Sequence, residues 1–220
     1  MALSGRLFPP AVRPAKPSWM PLLRLILQIA AVTVSGCAPS PQPSPRTPGF
    51  RHLTVDGDAI RTRHALPITI RAPAGFRPIG PRHRVAAFNG HPFEVSLAAL
   101  AGDAGAVMVH AERVADGSGA SNYDDLPIAD WPGPDFRRRG FCVTVSPEDA
   151  AGEHDLRFLK DGGWDPTGPL AMAQYLRTTA DHNQEVIVSL LLRGVDCGDA
   201  AAVDRALATL RGAIRVETPS

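Results

Sequence analysis

The 220-residue chain has few cysteines, few aromatic residues and almost no net charge. Its 3 cysteines, its aromatic content of 6% and its formal net charge of +1 at pH 7 set it apart from disulfide-dense scaffolds and from strongly basic proteins. Because nucleic-acid-binding proteins need a basic surface, we expect no nucleic-acid partner. No apolar run approaches the roughly twenty residues that a membrane-spanning helix requires.

The chain also lacks the short motifs of common catalytic sites. It contains no Gly-x-Ser-x-Gly, no Ser-x-x-Lys and no glycine-rich loop that ends in Lys-Ser or Lys-Thr. Its histidines and cysteines do not have the spacing of a zinc site. We therefore expect no metal site and no cofactor, and the spacing reveals no catalytic residue. Most of the seven histidines are expected on the surface; they are His52, His64, His83, His91, His110, His154 and His182.

Residues 1–36 have the features of a signal peptide, which is excluded from the fold. A basic segment precedes the apolar run Leu25–Val34, and this part of the chain contains no acidic residue. At about ten residues, the run is too short to span a bilayer core of roughly 30 Å. Met20 begins a compact version of the same pattern and is an alternative start of the chain. The basic residues are Arg6, Arg13, Lys16 and Arg24.

The tetrapeptide Val34-Ser35-Gly36-Cys37 ends this segment and resembles the lipobox of bacterial lipoproteins. The resemblance implies that the Cys37 thiol is lipidated, that acyl chains such as palmitate anchor the protein in a lipid bilayer, and that Cys37 becomes the mature N-terminus. It also implies a place in the bacterial cell envelope, facing the periplasm. Ala38, rather than Asp, favours the outer membrane over the inner one. The alternative is an ordinary signal peptide with a chance cysteine at its end.

Residues 37–49 predict a lipidated, proline-rich linker. Closely spaced prolines favour polyproline II, so the linker should act as a semi-rigid stalk. Removal of residues 1–36 leaves 19 basic against 22 acidic residues, so the mature protein is mildly acidic. The prolines of the linker are Pro39, Pro41, Pro43, Pro45 and Pro48.

Residues 50–217 are long enough for a single globular domain with a sizeable core. The segments Phe93–Leu100 and Val107–Glu112 flank a glycine-containing turn and predict a β-hairpin. A second hairpin is predicted from Ala173–Thr179 and Glu185–Arg193. The run Val186–Leu192 is apolar on both faces, which is typical of a central strand. Shorter predicted strands are Ile68–Arg71, Arg84–Phe88, Phe141–Val145 and Leu156–Leu159.

One helix is well defined in the sequence, over Ala200–Arg211, and it should cover the sheet. Asp199 is a suitable N-cap, and Gly212 is suited to end the helix in the left-handed conformation. A weaker helix start lies at Ser146, which Pro147 follows. These elements predict an α+β fold, an antiparallel sheet of hairpins with a C-terminal covering helix. The apolar face of that helix consists of Val203, Leu207, Leu210 and Ile214.

Two segments of this domain resemble the Mog1/PsbP-like α/β/α sandwich. In Pro67–Ile79, PITIRAPAGFRPI, a strand is followed by Pro-x-Gly-Phe, and in Glu185–Ile214 the last long strand is followed by a closing helix. The resemblance implies a sandwich of that type. Because that family consists mostly of non-catalytic assembly or binding modules, it implies no site residues.

Cys142 and Cys197 remain as a pair once Cys37 is lipidated. In an oxidising envelope compartment such a pair predicts a disulfide, which would join a predicted strand to the start of the C-terminal helix. The alternative is that Cys142 is a nucleophile with a histidine base.

The segment from Asp116 to Phe136 is a long loop rich in Gly, Asp, Ser and Pro, and long loops often carry function. Its aromatic residues Tyr123, Trp131 and Phe136 are candidates for contact with a partner; alternatively, they pack beneath the loop. The run Arg137–Arg139 indicates a solvated loop. A calcium site is a further alternative without the EF-hand spacing, and its oxygen donors would come from Asp116, Asn122, Asp124 and Asp125.

Two hypotheses for function follow. In the first, the protein is not an enzyme: it is a membrane-anchored lipoprotein whose domain acts as a binding or assembly module for an unidentified envelope protein. In the second, it is an envelope hydrolase whose acid and base groups meet only in three dimensions; Glu112, Asp124 and His154 are candidates for these groups.

Overall fold

The computed structural model describes residues 49–129, 131–133 and 135–218. The expected signal peptide, both possible starts, Cys37 and the linker up to residue 48 lie outside the described residues. The described chain forms eleven strands and three helices. The strands are Leu53–Asp56 (β1), Ala59–Thr62 (β2), Thr69–Arg71 (β3), Arg77–Phe88 (β4), His91–Ala101 (β5), Gly105–Val114 (β6), Ile128–Ala129 (β7), Phe136–Val145 (β8), Gly168–Thr178 (β9), Gln184–Arg193 (β10) and Arg215–Glu217 (β11). The helices are Pro147–Gly152 (α1), His154–Asp161 (α2) and Ala200–Ala213 (α3).

The strands form two antiparallel sheets. The larger has seven strands in the order β4-β5-β6-β10-β9-β8-β7, and the smaller has four in the order β1-β2-β3-β11. Both predicted hairpins are confirmed, since β5 pairs with β6 and β9 pairs with β10. The β6–β10 pairing joins the two hairpins into one sheet. The expectation of an antiparallel sheet with covering helices in an α+β arrangement is therefore met, with strand as the dominant structure.

Strand β10 has the central position that its sequence predicts. Because successive side chains point to opposite faces, an apolar strand must be covered on both sides. Val188 and Leu190 face one hydrophobic cluster, which also contains Leu53 and Ile70 of the smaller sheet and Leu207 of α3. On the opposite face, a second cluster is completed by helices α1 and α2; it includes Leu191, Met108, Ala150, Phe158 and Leu159.

The helix boundaries follow largely from capping. The Ser146 side chain accepts a hydrogen bond from the Asp149 N–H, and Asp149 reciprocates, which forms a capping box at the start of α1. The Asp199 carboxylate accepts from the Ala202 N–H at 2.9 Å and begins α3 as predicted. The predicted end of α3 is wrong: the helix continues through Gly212, and its C-cap is Ile214, with extended backbone.

Two further local predictions are wrong. The segment Leu156–Leu159, predicted as a strand, lies in helix α2. Its buried side chains, Phe158 and Leu159, pack against the sheet, and this packing selects the helix. The run Arg137–Arg139 lies in strand β8 rather than in a loop.

Cys142 of β8 and Cys197 before α3 lie at disulfide distance, with sulfur atoms 2.03 Å apart and Cα atoms 5.5 Å apart. This is the pair that the cysteine count predicts, and the link ties the segment that leads into α3 to the sheet. None of the helices in the described part of the chain is long and apolar enough to cross a membrane.

Candidate functional site

Three polar side chains project from the middle of the larger sheet into buried space. His110 and Glu112 lie two residues apart on β6, so both point to the face that α2 covers. Glu185 of β10 lies directly opposite Glu112 in the strand register. The three residues are only 5%, 3% and 3% exposed, respectively. Buried charged groups of this kind require partners.

His110 lies between two carboxylates. Its Nδ1 is 2.9 Å from Glu112 Oε1, and its Nε2 is 3.5 Å from Asp155 Oδ2 in helix α2. The second separation fits an ion pair but not a good hydrogen bond, and Nε2 has no hydrogen-bond partner among the described residues. Burial lowers the pKa of His110, but the charges of Asp155, Glu112 and Glu185 outweigh it and raise this pKa to about 9. His110 is therefore cationic at neutral pH.

Glu185 is held close to its protonation midpoint at neutral pH. Burial raises its pKa, the neighbouring Glu112 carboxylate raises it further, and a hydrogen bond from Tyr123 opposes the shift, with a result of about 7. The Tyr123 hydroxyl donates to Glu185 Oε2 at 2.8 Å. Burial, followed by the charge of Glu185, raises the pKa of Tyr123 above its ordinary value. We call His110, Glu112, Asp155 and Glu185 the acid–histidine cluster.

Tyr123 brings the loop of residues 116–136 onto this cluster. Its side chain points inward from the loop, and two hydrogen bonds hold the loop just before it, at Gly119 and Ser121. The Ser121 N–H donates to the His182 carbonyl at 3.1 Å, and the Gly119 N–H donates to Asn183 Oδ1 at 2.8 Å. The loop therefore packs against the end of the β9–β10 hairpin and covers one side of the acid–histidine cluster.

The other aromatic residues of the loop also face the protein. The Trp131 ring packs edge-on against Tyr175, with ring centroids 4.7 Å apart, and Trp131 is half-buried. Phe136 is 1% exposed and belongs to the main core. These positions match the alternative prediction, in which the aromatic residues pack beneath the loop. Tyr123 and Trp131 keep partly exposed surface, so a contact with a partner at these two residues stays a prediction.

The three acid and base candidates chosen from the sequence do not meet. Only Glu112 belongs to the acid–histidine cluster. Asp124 lies 3.7 Å from Arg137 and 3.9 Å from His182, at a shallow cleft of about 200 Å³. His154 is exposed at the start of α2, where its Nδ1 lies 2.9 Å from Arg157. The cleft is smaller than the roughly 300–1,000 Å³ of typical small-molecule sites.

A second group of histidines lies on the opposite face of the sheet, near the start of the described chain. His52 stacks on Phe50 and lies 3.3 Å from Glu94, and His83 contacts the Ser96 hydroxyl at 2.8 Å. His64 contacts the Glu185 carbonyl at 2.9 Å. Burial lowers the pKa of each of these three histidines. Of the seven histidines, which were expected mostly on the surface, only His110 is buried; His154 is exposed and the other five are partly buried.

Within the described residues, no group of three or more His, Cys, Asp or Glu side chains is arranged to hold a metal ion. The oxygen donors considered for calcium do not converge on one point in the contacts of the loop: Asp116 pairs with His91 at 3.0 Å, while Asp124 faces Arg137. The three arginines of β8 have partners within the domain. Their contacts are Arg137 with Asp124, Arg138 with Asp204 and Arg139 with Gln174.

Sequence reasoning selected Glu112 but missed His110, Asp155 and Glu185 as its neighbours. One signal was visible: a histidine and a glutamate at alternate positions in an otherwise apolar strand share one face.

In comparisons with known proteins, the chain matches no family model, no curated protein and no solved structure.

Proposed function

We propose that the protein is a membrane-anchored lipoprotein of the bacterial envelope and that its domain acts as a non-catalytic binding or assembly module. The lipobox-like Val34-Ser35-Gly36-Cys37 supports the anchor. The cysteine pair at disulfide distance fits an oxidising compartment. The domain faces the periplasm, from the outer membrane in preference to the inner one.

The observation that carries the non-catalytic role is the burial of three members of the acid–histidine cluster, His110, Glu112 and Glu185. The fourth, Asp155, has a side chain that is 39% exposed and lies near Arg84 and His110. The side chains of His110 and Glu112 are 7% and 4% exposed, and they contact each other. The Glu185 carboxylate accepts a hydrogen bond from the Tyr123 hydroxyl. A general acid or base must reach within hydrogen-bond distance of its substrate, and these groups contact protein atoms instead. Their role in this proposal is to hold the 116–136 loop in a defined position.

The resemblance to the Mog1/PsbP-like sandwich supports the same proposal. Helix α3 follows the last long strand and covers the sheet, as in that family, whose members are mostly assembly or binding modules. The contact surface is the outer side of the 116–136 loop. Its partner is an envelope protein, and the exposed parts of Tyr123 and Trp131 contribute to the contact.

The partner is sought by a crosslinking pull-down from native membranes with the anchor intact, and the anchor itself is tested by fatty-acid labelling. Cys37→Ser is the matched control for the anchor, because a hydroxyl cannot form the thioether that carries the lipid. We expect fatty-acid label in the wild-type protein only, and we expect the Cys37→Ser protein to leave the membrane or to accumulate as a precursor. Label in the Cys37→Ser protein would exclude lipidation at this residue.

The binding role is tested on the loop surface. Asp125→Ala changes an exposed residue beside the contact surface without touching the cluster, and Asp161→Ala on α2 provides a distant exposed control. We expect the double variant Asp125→Ala/Trp131→Ala to capture less partner than wild type. The Asp161→Ala variant should capture as much partner as wild type. Equal capture by both proteins, at matched thermal stability, would contradict this surface.

The alternative function, an envelope hydrolase, is favoured by one observation. Near neutral pH the acid–histidine cluster holds both a cation at His110 and an acid, Glu185, close to its midpoint, and such pairs serve in proton transfer. Movement of Tyr123 would expose them. If the protein hydrolyses an ester, peptide or glycoside substrate, Glu185→Gln should abolish that activity while Glu153→Gln, an exposed control, retains it.

A further inference from the structure

The edge of the larger sheet at β8 is only partly covered. Strand β7 has two residues, which pair with Arg137 and Phe136. Strand β8 continues to Val145. Within the described residues, no other strand pairs with this side of β8, and Gly140, Phe141 and Thr144 are exposed.

The backbone groups at this edge can be assigned from one hydrogen bond. The Arg138 N–H donates to the Pro127 carbonyl at 2.9 Å, so the backbone of Arg138 points away from β9. Alternate residues of an antiparallel strand point the same way, and the β8–β9 register has no shift. The N–H and C=O groups of Gly140, Cys142 and Thr144 therefore face the open edge.

We propose that this edge pairs, antiparallel, with the same edge of a second copy of the chain. A two-fold symmetric contact uses one patch twice, and its centre must lie in the middle of the open stretch. β7 covers the edge up to Arg138, so the open stretch is 139–145, with Cys142 at its centre. Gly140 then pairs with the partner's Thr144, and Cys142 pairs with the partner's Cys142. A shift toward Arg138 would displace β7.

The side chains are complementary in this register. Phe141 and Val143 are each 43% exposed and lie on one face of β8. Phe141 comes to lie opposite the partner's Val143, and the symmetric pair does the same, so four exposed apolar side chains form one cluster. Such cross-strand pairs are the main stabilising unit of a sheet, and pairing removes an open edge that would otherwise bind other strands.

Charge complementarity favours the same partner. Arg139 lies on the same face as Phe141, and within the domain it donates to the neutral Gln174 side chain at 2.7 Å. In the paired register it comes to lie opposite the partner's Val145, next to the start of the partner's helix α1. The first turn of that helix carries Glu148 and Asp149. Asp149 is used in the capping box, whereas Glu148 has no ion-pair partner within the described part of the chain. Two symmetric contacts between Arg139 and the partner's Glu148 result.

The test is a charge exchange between differently tagged full-length chains, extracted in detergent and examined by co-capture and light scattering. Wild type should be dimeric. Arg139→Glu and Glu148→Arg should each weaken self-association by about tenfold, since two exposed pairs become repulsive. A mixture of the two variants restores both attractive pairs and should co-capture like wild type. A monomeric wild type, or variants that associate with themselves as well as with each other, would overturn the proposal.

A second variant tests the backbone pairing. The Thr144 N–H faces the open edge, so Thr144→Pro removes an intermolecular donor without removing one from the β8–β9 ladder. Thr144→Ala is the matched control. We expect the proline variant to be monomeric with a melting temperature close to that of the alanine variant. A photo-crosslinker at Phe141 should join two chains; crosslinks only within one chain would show that the edge is covered by the chain itself, which also overturns the proposal.

Discussion

Replacement of Glu185 by glutamine should flatten the pH dependence of the stability of the domain near neutrality. Burial, reinforced by Glu112, raises the pKa of Glu185 from 4.5 to about 7. Folding therefore favours the protonated form. The contribution of Glu185 to stability is fully present below about pH 4.5 and is lost as the pH rises through about 7.

The size of this effect follows from the pKa shift. One pKa unit corresponds to about 1.4 kcal/mol, so the shift of Glu185 corresponds to roughly 3 kcal/mol between the two ends of this range. For a domain of this size, 1 kcal/mol changes the melting temperature by about 2–4 °C. The wild-type protein should therefore lose roughly 6–12 °C through Glu185 between pH 4.5 and pH 8. Glutamine has no such titration, and its amide oxygen still accepts the Tyr123 hydrogen bond.

The assay is thermal unfolding at several pH values for wild type, Glu185→Gln and Glu153→Gln. His110 adds a loss of the same sign: its pKa is raised to about 9, so its contribution is present below about pH 6.5 and is lost as the pH rises through 9. The difference between variants, rather than the wild-type slope alone, reports on Glu185. Glu153 is exposed, so its variant should keep the wild-type slope. An unchanged slope in Glu185→Gln would refute the reasoning.

Three other predictions follow from burial, from the cysteine pair and from the half-buried histidines. Phe136→Ala should cost about 3–5 kcal/mol of stability, because Phe136 is 1% exposed, whereas Phe141→Ala should cost less than about 1 kcal/mol; equal denaturation midpoints would contradict this. The Cys142→Ser/Cys197→Ser protein lacks the link across 55 residues, so its free energy of unfolding should fall by about 4 kcal/mol in the chain-entropy account. If reduction of the wild-type protein left its unfolding unchanged, this prediction would be contradicted. The three histidines whose pKa is lowered by burial should titrate below pH 6.5 by NMR. Their contribution to stability is present above pH 6.5 and is lost as the pH falls through the lowered pKa values. Titration midpoints above pH 6.5 would contradict this. These histidines are His52, His64 and His83.

The two hairpins, the central place of β10 and helix α3 were predictable because their signals are local. Each has a period, a turn or a cap within about a dozen residues, and the physical cause acts over the same range. Helix α2 was not predictable in this way. In the four residues Leu156–Leu159, helix and strand patterns are indistinguishable, and only the burial of Phe158 and Leu159 against the sheet selects the helix.

The smaller sheet illustrates a different limit. Its strands have three or four residues, too few for a clear periodic signal, and only β3 was predicted, as part of Ile68–Arg71. Its order places β11, at the end of the domain, beside β3 near the start, with Val216 opposite Ile70. Such a pairing depends on how the whole chain folds back, since helix α3 must first cross the larger sheet.

The acid–histidine cluster combines both situations. That His110 and Glu112 share a face is a local property of β6 and could be read from the sequence. That Glu185 joins them depends on the register of β10 against β6, because a shift of one residue would turn Glu185 to the opposite face and bring Val186 into its place. Asp155 comes from the helix whose type the sequence left undecided. A polar pair on one face of an otherwise apolar strand therefore indicates a buried polar site, and the register of the neighbouring strand decides which groups complete it.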